Sequence, residues 1–179
     1  MTLYLMRHAE AVDPGADGTT HDADRKLTDK GRRQAKRMGI LLKRLDVKID
    51  RVLSSPLVRA RETAELVATT AGSTAKIRTL DALKPNGKDD AMWEALLGAG
   101  GEAVLVVGHL PSIANLAGSL LGSLAEQPLW FHKSSLAALH CEARNNRKPR
   151  VKLEWMLSPA MAKRLAVHHA AGQSSEQKK

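Results

Sequence analysis

The chain has 179 residues, 43% of them hydrophobic and 26% charged, with a formal net charge of +9. That size and balance fit one domain with a sizeable core and exclude a disordered or fibrous chain. No apolar stretch reaches the length of a bilayer span, the opening run is too short for a signal peptide, and the lone cysteine, Cys141, excludes an internal disulfide and fits a reducing, cytoplasmic setting.

In chain order, Leu3–Met6 is the first short apolar run and predicts a strand. Thr28 predicts the cap of a helix running to about Leu45, with Ala35, Met38, Leu41, Leu42 and Leu45 on its inner face. Arg51–Leu53 is the second strand. Ser55-Pro56 then reads as a cap and first-turn proline for a helix carrying Ala60, Ala64, Val67, Ala68 and Ala71 inward. Lys76–Thr79 is the third strand, a short helix is expected between Asp89 and Leu97, and Ala103–Val107 is the fourth strand. Pro111 opens a helix with Ile113, Leu116, Ala117, Leu120 and Leu121 facing the core. Leu136–His140 and Val151–Leu157 flank a polar turn, Ala143–Pro149, and predict a hairpin; a last helix runs from Ala160 to about Ala170. Short runs alternating with helical patterns predict an α/β fold. The expected architecture is a single domain over residues 1–171, with a mostly parallel central sheet flanked by helices and an antiparallel edge hairpin near the C-terminus. Residues 172–179 are a polar tail.

Positive charge concentrates between Arg25 and Arg44 and again in Arg144, Arg147, Lys148, Arg150 and Lys152. The few aromatic residues are not interleaved with either cluster, so a base-stacking platform for nucleic acid is not expected. A solvated helix face and a hairpin turn account for the clusters, with attraction of an acidic or phosphorylated partner as the other reading.

Three motifs follow predicted strands: Arg7-His8 after the first, Ser54 to Arg59 after the second, and Gly108-His109 after the fourth. Carboxyl ends of strands are where open α/β sheets bind ligands, and helix N-termini there favour anions. Alone, Arg7-His8 reads equally as a strand-end pair satisfied by carbonyls, Arg59 as an exposed first-turn residue and His109 as a core histidine. Together they make a phosphate site, because guanidinium forks suit phosphate oxygens and a neutral imidazole can attack phosphorus.

These motifs, Arg7-His8-Ala9-Glu10, SSPLVRARET around Arg59, VVGHLPS around His109, and LTDKGRRQA from Leu27 to Ala35, resemble those of the histidine phosphatase superfamily, also called phosphoglycerate-mutase-like. LKPNG at Leu83–Gly87, Gly108–Pro111, and WMLSP at Trp155–Pro159 are similar to the SixA-type phosphohistidine phosphatases within it. The resemblance runs from Met1 to about Ala166. It implies that His8 is a transiently phosphorylated nucleophile, that Arg7 and Arg59 hold the phosphoryl oxygens, and that His109 completes the pocket. It implies no metal and no cofactor; His21, His132, His140, His168 and His169 show no ligand spacing. Arg25 and Glu10 are further candidate substrate contacts, Arg25 standing equally well for a surface residue and Glu10 for one that orders the loop.

One departure bears on substrate. Superfamily members acting on sugar phosphates carry a general-acid Glu in a Leu-x-Glu pattern, and here that stretch reads Leu83-Lys84-Pro85. An alkoxide needs a proton on leaving, whereas a protonated phosphohistidine leaves as neutral imidazole. The connection between the third and fourth strands is too short for a substrate cap, leaving the loop Asp13–Asp24 as the available lid. The expected substrate is therefore a histidine-phosphorylated signalling protein, such as a histidine phosphotransfer domain, with inorganic phosphate as product. No nucleic acid or membrane partner is expected. The alternatives are a small-molecule phosphomonoesterase of the same superfamily and a non-catalytic module that binds phosphoprotein.

Overall fold

A computed structural model of the chain describes residues 1–16, 18–122, 129–144 and 147–165. The elements are β1 (Thr2–Arg7), α1 (Asp29–Arg44), β2 (Arg51–Ser54), α2 (Val58–Ala71), β3 (Ile77–Thr79), α3 (Asp89–Ala99), β4 (Ala103–Gly108), α4 (Ser112–Leu121), β5 (Leu136–Arg144) and β6 (Arg147–Leu157). One-turn 3-10 helices lie at Asp22–Asp24 and Asp81–Leu83. The strands form one six-stranded sheet in the order β3-β2-β4-β1-β5-β6. β3, β2, β4 and β1 run parallel, and β5 and β6 add an antiparallel pair at the β1 side, as the sequence predicts.

Alternation along the buried strands divides the core in two. Tyr4, Met6, Leu105 and Val107 face α1 and α2, meeting Met38, Leu42, Ala64 and Val67. Leu3, Leu5, Val104 and Val106 face the other way, onto Met92 and Leu96 of α3, Ile113 and Leu116 of α4, and Phe131. Burying each such side chain contributes about 2 kcal/mol. The sheet is thereby fixed from both sides, and its strand ends become a rigid platform.

Local chemistry sets the helix boundaries. Thr28 caps α1, its hydroxyl accepting from Gly31 N–H at 3.0 Å. Gly31 is required by close approach: a Cβ there would lie 1.9 Å from the Glu10 carbonyl oxygen, so only glycine lets α1 dock on the loop after β1. The C-terminal end differs from expectation. Leu45 lies past the helix and is half exposed, because the chain turns at Asp46 (φ 55°) and brings Val47 against the core instead. Ser55 does not cap α2, which begins at Val58 after Leu57. Strands β5 and β6 extend into the segment predicted as a polar turn, since polar residues are tolerated on a sheet edge. Residues 145–146 lie outside the described residues. A helix begins at residue 159 and is described to 165, with Ala162 buried against the α1 side of the core. The expected end of that helix near Ala170 and the tail 172–179 lie outside the described residues. Among the described residues, no helix is long and apolar enough to cross a membrane.

Candidate active site

β2, β4 and β1 are neighbours in the sheet, so the three motifs emerge side by side at one edge. Arg7 pairs with Gly108 and Ser54 with Val107. The ladder continues one step further: His8 N–H donates to the Gly108 carbonyl at 3.0 Å and Ser55 N–H to the Val107 carbonyl at 2.9 Å. His8 and His109 are thus held by main chain, with ring centroids 4.9 Å apart and planes tilted by 54°.

The hydrogen bonds define the tautomer of His8. His8 Nδ1 lies 2.7 Å from the Ala9 carbonyl, which can only accept. The neutral ring therefore carries its proton on Nδ1 and its lone pair on Nε2, the atom able to attack an electrophile. His109 Nε2 lies 2.9 Å from Ser55 Oγ. That hydroxyl also accepts the Leu57 N–H at 3.3 Å; where it gives its own proton to Nε2, His109 carries its N–H on Nδ1. Burial, then the charge of His109 and the two arginines, pushes the His8 imidazole down to about 3. His109 is also pushed down to about 3, by burial and then by Arg59 and Arg7, with Asp22 opposing.

Both rings are therefore neutral at physiological pH. As pH falls through about 6.5, the ordinary histidine value, the His8 and His109 ring resonances of the free chain should stay unshifted in an NMR titration. A midpoint near that value for either ring would contradict the assigned environment. The sign for stability follows. The unfolded chain takes up protons at these histidines below about 6.5 and the folded chain does not, so stability should fall as pH drops from there toward about 3.

The arginines complete the site. Arg7 donates from Nη1 to the Phe131 carbonyl at 2.9 Å. Arg59, only 4% exposed on the first turn of α2, donates from Nη1 to the Asp22 carbonyl at 2.7 Å and from Nη2 to Asp22 Oδ2 at 2.9 Å. Arg7 Nε, Arg59 Nε and His109 Nδ1 are buried with no hydrogen-bond partner. An unpaired buried donor costs about 1–3 kcal/mol, and an oxyanion is a group that would satisfy such donors.

The other two candidates sit differently. Arg25 donates from Nε to the Val12 carbonyl and from Nη1 to Asp22 Oδ1, both at 2.7 Å, which places it one carboxylate away from Arg59. Glu10 turns to α1, with Oε2 on Lys30 Nζ at 2.7 Å and Oε1 on Thr28 Oγ1 at 3.2 Å. Those contacts, the Lys30 bond foremost, hold its carboxyl below the ordinary range. The loop Asp13–Asp24 borders a cavity of about 470 Å³ whose lining includes Pro14, Thr19, His21, Asp22 and Arg25. Pro85 lies against the first turn of α4, its carbonyl and that of Lys84 both accepting from the Ser112 hydroxyl.

Sequence reasoning missed four supporting residues. Ser134 N–H donates to the carbonyls of both Arg7 and His8, and Arg7 N–H donates to the Ser135 carbonyl. Both serine hydroxyls are buried without a partner. Thr63 donates to the Arg59 carbonyl at 2.6 Å and accepts the Ala9 N–H at 3.0 Å, tying α2 to the first motif. Asp22 is the fourth. The signal for Thr63 was its spacing of one helical turn from Arg59; no local pattern marks the others. Among the described residues, no three His, Cys, Asp or Glu side chains converge to hold a metal ion.

Two neutral imidazoles, the buried Arg59 and the half-buried Arg7 lie at the carboxyl edge of the parallel strands, a combination whose chemistry suits phosphoryl transfer. The chain belongs to the histidine phosphatase superfamily, whose branch 1 model matches residues 3–85, and by class it is a phosphatase. It is 31% identical over 166 residues to the phosphohistidine phosphatase SixA of Escherichia coli (strain K12), spanning 91% of this chain and 97% of that protein. It is also similar to the solved structure of the protein histidine phosphatase SixA complexed with tungstate, with a TM-score of 0.75, 30% identity, and 89% and 98% of the two chains covered. A mycobacterial glucosyl-3-phosphoglycerate phosphatase, 18% identical with a TM-score of 0.64 over 86% of this chain and 96% of its own, shares the fold.

Proposed function

We propose that the chain is a phosphohistidine phosphatase that acts on a histidine-phosphorylated signalling protein through a covalent phosphohistidine on His8. One observation carries the reading: a neutral, buried His8 with its lone pair on Nε2 has the His109 ring 4.9 Å away and feels the charges of Arg7 and Arg59, whose Nε donors are buried without a partner. A relative named a phosphohistidine phosphatase, and a structure named a protein histidine phosphatase that holds the oxyanion tungstate, support it.

The reading implies the following steps. Arg7, Arg59 and His109 Nδ1–H hold the phosphoryl oxygens, and His8 Nε2 forms a bond to phosphorus as the substrate's P–N bond breaks. The leaving ring, protonated on its other nitrogen, departs as neutral imidazole. The phosphorylated His8 ring carries a positive charge that its Nδ1–H shares with the Ala9 carbonyl. Water then attacks phosphorus, the bond to His8 breaks, and inorganic phosphate leaves with the proton released to solvent.

Three features favour phosphohistidine over an ester. Pro85 occupies the position of the superfamily's acid, which a self-sufficient leaving group does not require. The β3–β4 connection packs Leu83, Met92 and Leu96 into the core, which fits a pocket open to a protein surface. The α1 surface is rich in Lys and Arg, suited to an acidic partner and to the cytoplasm in which phosphorelay proteins work.

The test compares kcat/KM for a phosphohistidine protein with that for sugar, nucleotide and aryl phosphates at one pH. The protein should be preferred, and the preference should shrink as salt is raised. Preference for small esters would mean a small-molecule phosphomonoesterase. No turnover of any phosphate would leave a phosphoprotein-binding module.

A further inference from the structure

The structure assigns Asp22, in the loop after β1, as a positioning residue that holds Arg59 by one end of its guanidinium and turns the other edge toward the phosphoryl group. This rests on the reading of Arg59 as a phosphoryl ligand. A guanidinium offers two bidentate edges: the end formed by Nη1 and Nη2, and the side formed by Nε and Nη2. Asp22 occupies the end with two different groups, its main-chain carbonyl on Nη1 at 2.7 Å and its carboxylate Oδ2 on Nη2 at 2.9 Å. Nε, on the side edge, is buried and has no partner.

The same carboxylate is braced in turn. Its Oδ1 accepts from Arg25 Nη1 at 2.7 Å, and Arg25 is fixed by its Nε bond to the Val12 carbonyl. Asp22 therefore joins a surface loop to a side chain that is 5% exposed, while it is itself 56% exposed. That asymmetry is unlike an exposed ion pair, because one member is a nearly buried cation whose direction is set by the contact.

The opposite assignment makes Asp22 a plug that stands where phosphate binds. An anion that replaced Asp22 at the Nη end would break the main-chain bond and still leave Nε unpaired. An anion on the side edge pairs Nε and keeps both Asp22 bonds, so the geometry favours positioning.

The two assignments have opposite signs. The experiment measures aryl phosphate turnover and inhibition by orthovanadate for the full-length wild type, Asp22→Ala, Asp22→Asn, Arg59→Lys and the Asp22→Ala/Arg59→Lys double variant. Loss of a hydrogen bond to a charged group corresponds to about tenfold or more. Asp22→Ala should weaken vanadate inhibition by about tenfold and lower kcat as well as kcat/KM, since misdirection of Arg59 is felt in the transition state. Asp22→Asn, which keeps an oxygen for Nη2, should recover most of the loss. In the Arg59→Lys background the Asp22→Ala change should add almost nothing, because an ammonium has no side edge to present. Tighter vanadate binding and faster turnover in Asp22→Ala would overturn the assignment in favour of the plug. Unchanged constants, or losses that simply add in the double variant, would also overturn it while leaving Arg59 as a ligand. A wild type that neither binds vanadate nor turns over the aryl phosphate would overturn the site itself, and the role of Asp22 with it.

Discussion

His8→Ala should lower phosphatase turnover by at least about a thousandfold, the scale on which removal of a covalent nucleophile is felt. The expectation rests on where the ring sits. It is 8% exposed, its proton is fixed on Nδ1 by the Ala9 carbonyl so that Nε2 keeps the lone pair, and the His109 ring lies 4.9 Å away. A general base can be bypassed by bulk water at a modest penalty, but a nucleophile that forms the first bond cannot. The variant should remain folded, because His8 contributes main-chain bonds to Gly108 and Ser134 that alanine also makes. Circular dichroism alongside initial rates separates the two effects. Retention of even about a tenth of wild-type turnover would mean that water attacks the substrate directly.

Arg59→Met should lower kcat/KM by about a hundred- to a thousandfold, the effect of removing one or more oxyanion donors, without lowering thermal stability. The two halves have one cause. Arg59 is a nearly buried cation with an unpaired Nε, an arrangement that an oxyanion improves and that a methionine of similar reach removes. Active-site residues of this kind trade stability for function. Its bonds to Asp22 join it to a half-exposed loop residue, so their loss has a modest effect on folding. Rates together with a thermal melt check both halves. A large drop in melting temperature with little loss of activity would make Arg59 a structural residue.

Much of this was legible in the sequence, for identifiable reasons. The runs at β1, β2 and β4 are apolar on both faces and end on Arg7, Ser54 and Gly108, so the strand ends and their polar groups could be read from order alone. The Thr28 cap likewise lies within four residues of the group it binds, Gly31. What was not legible depends on contacts across long sequence distance. Ser55 reads as a helix cap because its nearest signal is Pro56, while its partner, His109, lies just past another strand, β4. Nothing local marks Ser134 and Ser135, since no nearby pattern shows that β5 lies beside β1. Asp22 sits in a stretch of Asp and Gly that reads as loop, and its partner on α2 comes 37 residues later. Leu45 continues the helical spacing of α1 in the sequence, whereas the helix ends at Arg44 and the backbone turns at Asp46.

The most direct test of the covalent route is to look for phosphate on His8. The chain is mixed with a phosphohistidine protein, quenched rapidly in base, where phosphohistidine survives, and mapped by peptide mass spectrometry. A quench series should show an acid-labile phosphate on the peptide containing His8, appearing before inorganic phosphate and absent from His8→Ala. Release of inorganic phosphate at the full rate with no modification of His8 at any time would contradict the covalent route.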